Sequence, residues 1–305
     1  MDRYEAIIIG GGPAGLTAAL YASRAGLKSL LIERALFGGQ IVNASLVENY
    51  PGFPDGISGV ELGSLMYQQA IKYGPKVITA EVTNITEGQH YNISTTEGSF
   101  EAASLIIATG SQFRKLGVPG EEKLTGHGVS YCATCDGFFF RDQDVAVIGG
   151  GDTALTDALE LSRHAKKVYV IHRRDQLRAG QLHQQRAFAK SKLEFIWNTV
   201  VEEIIGEKTL NELSLRNVKT GELSTLAVTG VFIGAGLTPN SQSFADIVKL
   251  DDAGYIITDE TMSTSSPGIF AAGDIRRNSP RQVACAVGDG TTATLSALKY
   301  LEGKS

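Results

Sequence analysis

Two apolar runs in the chain are each followed at once by a glycine-rich turn and then by a helical pattern. The first run occupies residues 6–9, within a predicted strand over 4–9, and the second occupies residues 145–148. Continuous apolar runs rich in β-branched residues are typical of parallel strands that are buried on both faces. The pattern therefore predicts α/β units, each with a strand, a tight turn and a helix.

The turn after the first run has the pattern Gly-X-Gly-X-X-Gly and predicts a dinucleotide-binding site. Its glycines are Gly10, Gly12 and Gly15, and a helix is predicted over 16–25. Such glycines allow a tight turn, close approach to a pyrophosphate and close helix–strand packing, while the helix N-terminus favours phosphate. Glu33 ends the next predicted strand, where an acid accepts hydrogen bonds from a ribose. A purely structural glycine-rich turn is the weaker alternative.

The same unit occurs a second time further along the chain. Residues 10–34 align without gaps with residues 149–173, and 12 of the 25 aligned positions are identical. The second fingerprint consists of Gly149, Gly150, Gly151, Asp152, Thr153 and Ala154. Ala154 replaces the third glycine, which the fingerprint tolerates. Two fingerprints predict two dinucleotides, bound in two Rossmann-like domains.

The residue that follows each second strand indicates which dinucleotide is bound. His172 takes the place of Glu33, and Arg173, Arg174 and Arg178 lie just beyond it. An acid would repel the 2′-phosphate of NADP, whereas guanidinium groups bind phosphate through charge-assisted hydrogen bonds. The second site therefore favours NADP, and the first site suits FAD or NAD. A solvated basic strand end is the alternative for the arginines.

Between the two fingerprints lies a Cys-X-X-Cys pair, Cys132 and Cys135, followed directly by Asp136. The chain has only three cysteines, so this pair does not belong to a structural disulfide framework. The spacing often lowers one thiol pKa, and the carboxylate can hold the proton that disulfide exchange moves. Half of a zinc site is the alternative, but zinc needs four ligands and the five histidines show no matching spacing. We predict a redox disulfide.

Composition bounds the remaining possibilities. A chain of 305 residues with 43% hydrophobic and 20% charged residues is typical of a soluble two-domain protein. A net charge of −5 gives no support for nucleic-acid binding. No apolar run is long enough to span a membrane, and the first residues lack a positively charged signal region. We therefore expect no nucleic-acid or membrane partner and a cytoplasmic location.

Two segments punctuated by glycine and proline, near 110–120 and 234–240, predict crossings between domains that also serve as hinges. The second Rossmann unit is then inserted in the first. We predict a discontinuous first domain over 1–113 and 241–305, and a second domain over 114–240 that carries the cysteine pair. A last strand is expected over 268–274 and a final helix over 288–301.

With these motifs in place, the chain resembles the low-molecular-weight thioredoxin reductases, flavoproteins of the two-dinucleotide-domain disulfide reductase class. The resemblance extends over the full length and rests on the first fingerprint, Cys132-Ala133-Thr134-Cys135-Asp136-Gly137, His172-Arg173-Arg174-Asp175 and Ala271-Ala272-Gly273-Asp274. It implies FAD in the discontinuous domain, NADPH in the inserted domain, a homodimer, and thioredoxin or a thioredoxin-like protein as the disulfide substrate.

The resemblance also implies roles for individual residues. Cys135 would face the flavin, Cys132 would attack thioredoxin, and Asp136 would act as acid and base. The implied FAD-binding residues are Gly10, Gly12, Pro13, Ala14, Gly15, Glu33, Gly39, Gln40, Asn49, Val82, Ala108, Thr109, Gly110, Gly273, Asp274, Arg281, Gln282 and Val283. The implied NADPH-binding residues are Gly149, Gly151, Asp152, Thr153, Ala154, His172, Arg173, Arg174 and Arg178.

Related enzyme classes fit less well. A glutathione-reductase type would carry its cysteines just after the first fingerprint, where residues 35–49 contain none. A peroxiredoxin-system reductase would have a long redox extension before the fingerprint, which begins here at Gly10. A ferredoxin-driven flavin reductase would lack the arginines, and a nucleotide-binding redox sensor would not need Asp136. The segment Phe138-Phe139-Phe140 is expected to be core rather than docking surface.

Overall fold

The computed structural model describes residues 2–44 and 46–303. Its strands are β1 (Asp2–Ile9), β2 (Ser29–Glu33), β3 (Lys76–Thr79), β4 (Val82–Thr86), β5 (Tyr91–Thr95), β6 (Gly98–Ile107), β7 (Ser111–Phe113), β8 (Val129–Ser130), β9 (Asp144–Ile148), β10 (Lys167–Ile171), β11 (Leu193–Ile196), β12 (Thr199–Gly206), β13 (Leu210–Asn217), β14 (Leu223–Ala227), β15 (Gly230–Ile233), β16 (Leu237–Pro239) and β17 (Ile269–Ala271). Its α-helices are α1 (Pro13–Arg24), α2 (Gly59–Ile71), α3 (Glu121–Leu124), α4 (Ala133–Asp136), α5 (Asp152–Leu161), α6 (Gln181–Phe188) and α7 (Val283–Glu302). Short 3₁₀ turns cover Gly39–Asn43, Gly137–Phe140, Gln242–Phe244 and Gly273–Ile275.

Two compact units divide the chain. The first consists of Met1–Gln112 with Thr238–Ser305, and the second of Phe113–Leu237. Strands β7 and β16 lie at the two crossings and pair as a two-stranded sheet. The predicted α/β class, with a second Rossmann-like domain inserted in the first, is confirmed. Within residues 2–44 and 46–303, no helix combines the length and apolar character that crossing a membrane requires.

The first unit is built on a sheet with the strand order β3-β2-β1-β6-β5-β4, and β17 also pairs with β6. Strands β1, β2, β3, β6 and β17 run parallel, whereas β4 and β5 form an antiparallel edge. Ile9 is in register with Ile32 and Ile107, so the carboxyl ends of three strands meet at one edge. Ile7 and Ile8 are fully buried on opposite faces, which explains the continuous apolar run.

The second unit contains a parallel sheet with the order β11-β10-β9-β15-β8 and a separate antiparallel sheet, β12-β13-β14. Helix α5 packs on the parallel sheet, and both α4 and α6 pack against α5. Val147 is in register with Val170 and Phe232, and all three side chains are fully buried. Their burial stabilises the sheet by about 1.5–3 kcal/mol for each side chain.

Two predicted helix boundaries differ from the structure. Helix α1 begins at Pro13 rather than at residue 16, because proline fits the first turn, where its missing N–H costs no hydrogen bond. Helix α7 begins at Val283 rather than at residue 288. Its glycine Gly290 is a contact point inside the helix, since a Cβ there would lie 2.2 Å from the carbonyl oxygen of Ala14 in α1.

Candidate functional site

The first glycine turn has a backbone that other residues would not tolerate. Gly10 has φ 110°, and a Cβ there would lie 2.4 Å from the carbonyl oxygen of Ala108. A Cβ on Gly15 would lie 1.8 Å from the carbonyl oxygen of Gly10. The Ala108 N–H donates to Ile9 at 2.7 Å, so β1 and β6 bring these predicted residues together. A turn of this form at the N-terminus of a helix such as α1 suits a pyrophosphate.

Besides the ribose contact predicted for it, the Glu33 carboxylate makes hydrogen bonds within the protein. Its carboxylate accepts a hydrogen bond from the Gly11 N–H at 2.5 Å and another from the Ala35 N–H at 2.9 Å. The acid therefore fastens the glycine turn to the end of β2. Each carboxylate oxygen can accept more than one hydrogen bond, so the predicted ribose contact stays a prediction.

Several other predicted FAD-binding residues lie close to this turn. The Gly38 N–H donates to Gly11 at 2.8 Å, and a Cβ on Gly39 would lie 3.0 Å from Gly12. A Cβ on Gly273 would lie 3.0 Å from the Cβ of Ala14. Two separate segments of the first unit, at residues 38–39 and at residue 273, thus lie close to the turn.

The remaining predicted FAD residues occupy loops and strand ends of the same unit. Val82 begins β4, two residues after Ala80, whose N–H donates to the Glu33 carbonyl at 2.9 Å. The Asn49 side chain donates to Gln282 at 3.2 Å. Pro13 begins α1, Gln40 lies in a 3₁₀ turn, Thr109 and Gly110 follow β6, and Arg281 and Val283 adjoin the start of α7. The described residues therefore fit a dinucleotide at the carboxyl ends of β1, β2 and β6.

Asp289 is a residue of this unit that the sequence interpretation missed. Its carboxylate accepts the Gly273 N–H at 3.0 Å and two hydrogen bonds from the Arg276 guanidinium at 2.5 and 2.7 Å. It thereby holds the turn that contains the predicted Asp274, whose carboxylate accepts from Ser279 at 3.0 Å. Burial raises the pKa of Asp274. No local pattern links residues 16 positions apart in this way, so only the fold reveals the contact.

The second glycine turn lies at the end of β9 and opens helix α5. Gly149 has φ 146°, and a Cβ there would lie 2.6 Å from the Cβ of Ala154. A Cβ on Gly150 would lie 2.5 Å from the His172 ring. The Asp152 carboxylate accepts from the Gly180 N–H at 2.8 Å. The predicted fingerprint residues are therefore together, with Gly151 facing open space and Thr153 exposed.

The side chain of His172, a predicted NADPH-binding residue, packs against the second glycine turn. Its side chain is only 4% exposed and lies beneath Gly150, and its Nε2 is 3.1 Å from the Gln176 carbonyl. Burial lowers the pKa of the imidazole, and the nearby arginines act in the same direction. The ring thus supports the turn, and the predicted contact of His172 with NADPH stays a prediction.

The predicted arginines share one cavity. It has a volume of about 310 Å³ and is lined by Arg173, Arg174, Asp175, Gln176, Leu177, Arg178, Asn198, Val218 and Lys219. All three guanidinium side chains are exposed, yet they line a common concave site at the end of β10. Because the three guanidinium groups line one cavity, the arginines are better explained as a phosphate-binding site than as a solvated strand end. Guanidinium groups bind phosphate oxygens strongly.

The cysteine pair is a disulfide in the same unit as the second fingerprint. The Cys132–Cys135 S–S distance is 2.10 Å, Cys132 is half-buried and Cys135 is exposed. Helix α4, which contains Cys135, packs against α5. The zinc alternative is wrong for this pair, because each sulfur is already bonded. Among the residues that the structure describes, no group of three or more His, Cys, Asp and Glu could hold a metal ion.

Asp136 is joined to the disulfide through Ser130, which the sequence interpretation also missed. The Ser130 hydroxyl donates to the Asp136 carboxylate at 2.6 Å and accepts from the Cys132 N–H at 3.1 Å. Burial raises the pKa of Asp136, and the Ser130 hydrogen bond opposes this shift. The carboxyl group therefore retains a proton at higher pH than an ordinary aspartic acid, as a proton donor beside a disulfide requires.

A second carboxyl group, Asp157 in α5, accepts a hydrogen bond from the backbone N–H of Ala133, next to Cys132. Burial raises the pKa of Asp157 to about 7. Between about pH 4 and pH 7 the unfolded state releases this proton while the folded state keeps it, so stability falls as pH rises and is level above pH 7. The full pKa shift of Asp157 corresponds to a change of about 4 kcal/mol in the free energy of unfolding. Because the side chain is partly exposed, solvent reduces this change to about 1–2 kcal/mol.

We expect Asp157→Asn to remove this dependence. Thermal unfolding of variant and unmodified protein should give similar midpoints near pH 4.5 and a midpoint a few degrees higher for the variant above about pH 7. Glu160→Gln, on the same helix, is the matched control, because its carboxylate instead pairs with Arg163 at 2.9 Å. A constant difference between Asp157→Asn and the unmodified protein at every pH would contradict the assignment.

Two phenylalanines that were expected to be core lie at the surface. Phe138 is 58% exposed and Phe139 is 38% exposed, whereas Phe140 packs edge-on against Phe232 in the core. Because the segment is a 3₁₀ turn after α4, three successive side chains point in different directions. Cys285, the third cysteine, is half-buried in α7.

Comparisons with known proteins agree with this geometry. The family model described as pyridine nucleotide-disulphide oxidoreductase matches residues 4–290. A thioredoxin reductase of Listeria monocytogenes is 49% identical over 302 residues, which cover 98% of this chain and 94% of the relative. One of Bacillus subtilis is 45% identical over 301 residues, covering 98% and 95%. The crystal structure of thioredoxin reductase from Streptococcus pyogenes has a TM-score of 0.95 at 49% identity, covering 99% of both chains.

Proposed function

Because the chain belongs to the pyridine nucleotide-disulphide oxidoreductase family and acts as a thioredoxin reductase, we propose that the Cys132–Cys135 pair, once reduced to a dithiol, delivers two electrons to the disulfide of thioredoxin. The enzyme uses FAD and NADPH. The observation that carries the proposal is a Cys-X-X-Cys disulfide with a half-buried carboxyl group, Asp136, held beside it by Ser130. When bound, the cofactors supply the electron pair, which originates as hydride on NADPH.

Each fingerprint would hold one cofactor. The turn of Gly10, Gly12 and Gly15, with Glu33, suits FAD because its glycines permit the tight turn from β1 to α1 that binds a pyrophosphate, and its acid suits a ribose hydroxyl. The turn that begins at Gly149 suits NADPH because an arginine-lined cavity adjoins the end of β10. Asp274, which lies in the turn that Asp289 holds, would contact FAD in the same unit.

The thiols would act in sequence. Opening the Cys132–Cys135 disulfide takes two electrons and two protons and gives a dithiol. The Cys132 thiolate then attacks one sulfur of the thioredoxin disulfide and forms a mixed disulfide, while a thiolate leaves on thioredoxin. Cys135 attacks Cys132, which restores the intramolecular disulfide and releases thioredoxin as a dithiol. Asp136 is positioned to accept and return a proton in these steps.

Asp136→Asn should slow reoxidation of the reduced enzyme by thioredoxin about 10- to 100-fold, because an amide cannot carry the proton. Stopped-flow measurement of reoxidation isolates this step. Ser130→Ala provides the comparison. It keeps the carboxyl group but removes the hydrogen bond that lowers its pKa, so the pH profile should move upward with little loss of maximal rate. An unchanged rate in Asp136→Asn would remove Asp136 from the mechanism.

We also propose that the enzyme is a cytoplasmic homodimer. A cysteine pair that cycles between dithiol and disulfide suits a reducing compartment. Self-association is supported by apolar side chains on α2 that face solvent, Val60 at 63% and Leu65 at 43% exposure. Sedimentation of the flavin-loaded protein tests the oligomeric state, and a single monomeric species at micromolar concentration would reject the dimer.

The function as a whole is tested with purified protein and each nicotinamide nucleotide in turn. NADPH should bleach the flavin absorption band under anaerobic conditions, and oxidised thioredoxin should then restore it. NADH at the same concentration should act far more slowly. A band that NADPH leaves unchanged, or that thioredoxin cannot restore after bleaching, would contradict the proposal.

A further inference from the structure

The arginine-lined cavity of the second unit contains one cation that does not belong to the Rossmann unit. Arg173, Arg174 and Arg178 follow β10, whereas Lys219 comes from the turn between β13 and β14 of the antiparallel sheet. In the amino-acid sequence, Lys219 lies 41 residues beyond the nearest of these arginines, outside every nucleotide motif. The fold nevertheless puts all four cations on the wall of one cavity of about 310 Å³.

The turn that carries Lys219 is fastened to the backbone of the arginine segment. The Asn217 side-chain oxygen accepts the Lys219 N–H at 2.9 Å and so shapes the turn. The Val218 N–H donates to the Asn198 carbonyl at 2.6 Å, and the Asn198 N–H donates to the Arg174 carbonyl at 3.2 Å. Two consecutive backbone hydrogen bonds thus fix the position of the lysine relative to Arg174.

The Lys219 side chain is also held in place. Its ammonium donates to the Asp175 carboxylate at 2.7 Å, and this contact lowers the pKa of Asp175. Asp175 is the one anion among the residues that line the cavity. An unpaired carboxylate there would repel a phosphate, so its pairing with Lys219 makes the cavity wall uniformly suitable for an anion.

We propose that Lys219 is a specificity-determining residue for NADPH, whose ammonium binds the 2′-phosphate together with the arginines. The inference rests on the proposed use of NADPH by this cavity. A phosphate accepts several charge-assisted hydrogen bonds, and lysine supplies a mobile point charge that complements the planar guanidinium groups. The ammonium has three N–H donors, so it can donate to the incoming phosphate while it keeps its hydrogen bond to Asp175.

The test measures binding of two fragments to the flavin-loaded protein by calorimetry: adenosine 2′,5′-bisphosphate and adenosine 5′-monophosphate. The unmodified protein should prefer the bisphosphate. Lys219→Met should weaken bisphosphate binding by about 5- to 20-fold, the low range for a hydrogen bond to a charged group at a wet site. Binding of the monophosphate should not change, and Lys219→Arg should restore most of the preference.

Two further variants separate a phosphate contact from a merely structural ion pair. Asp175→Asn breaks the same pair but leaves the lysine, so bisphosphate affinity should be equal or higher. Lys208→Met is the charge-matched control, because Lys208 is exposed in the other hairpin turn of this sheet, between β12 and β13. The Lys208→Met variant should bind the bisphosphate and the monophosphate with the same affinities as the unmodified protein.

Each alternative outcome overturns a different statement. Equal losses in Lys219→Met and Asp175→Asn would show that the ion pair only supports the fold of the turn. Unchanged preference in Lys219→Met would reject the lysine while leaving the arginine site intact. An unmodified protein without any preference for the bisphosphate would reject the NADPH assignment of the cavity, and the inference with it.

Discussion

Replacement of either Cys132 or Cys135 by serine is expected to lower NADPH-dependent thioredoxin reduction by at least about 1,000-fold, the scale on which loss of an essential nucleophile acts. Both sulfur atoms belong to one disulfide, so a single remaining thiol cannot return to the oxidised state within the chain. The measurement is steady-state reduction of thioredoxin. Cys285→Ser is the matched control, since this half-buried cysteine lies in α7, within the first unit, and should leave the rate unchanged.

The two serine variants should differ in what they trap. Cys135→Ser retains the proposed attacking thiol, which should form a mixed disulfide with thioredoxin that no second thiol resolves. Cys132→Ser retains only the resolving thiol and should trap far less. Non-reducing electrophoresis after incubation with oxidised thioredoxin reads out the adduct. Equal trapping by both variants would show that the roles of the two sulfur atoms are not distinct.

Replacement of both Arg173 and Arg174 by alanine should erase most of the preference for NADPH over NADH. Two charge-assisted contacts contribute about 1.5–3 kcal/mol together once solvent at this exposed site is considered. This corresponds to about a 10- to 150-fold preference in kcat/KM for the unmodified enzyme. We expect these two arginines to provide the preference because both side chains lie on the wall of one cavity at the end of β10.

The measurement is kcat/KM for both nucleotides with the flavin-loaded enzyme. Arg163→Ala is the control, because Arg163 lies just beyond α5, pairs with Glu160 at 2.9 Å and is outside the cavity. The Arg163→Ala variant should prefer NADPH over NADH by the same factor as the unmodified enzyme. Equal use of NADH and NADPH by the unmodified enzyme would mean that the arginines are only a solvated strand end.

The site could be predicted from sequence where chemistry and spacing are local. The fingerprint of Gly10, Gly12 and Gly15 demands a tight turn between a strand and a helix, and the structure has β1 and α1 there. The pair of cysteines can close a ring because two residues separate them. Expected hinge motion at the crossings stays a prediction, since it concerns a change of state rather than one arrangement.

The α/β class, the repeated unit and the residue types at each turn could be predicted from the amino-acid sequence. These follow from short-range rules, because a buried parallel strand needs a continuous apolar run and a phosphate turn needs glycine. Contacts between residues that are distant along the chain became visible only in the folded protein. Asp157 reaches the N–H beside Cys132, and Lys219 reaches Asp175. Such contacts depend on strand order and helix packing, which bring together residues whose separation along the chain carries no signal.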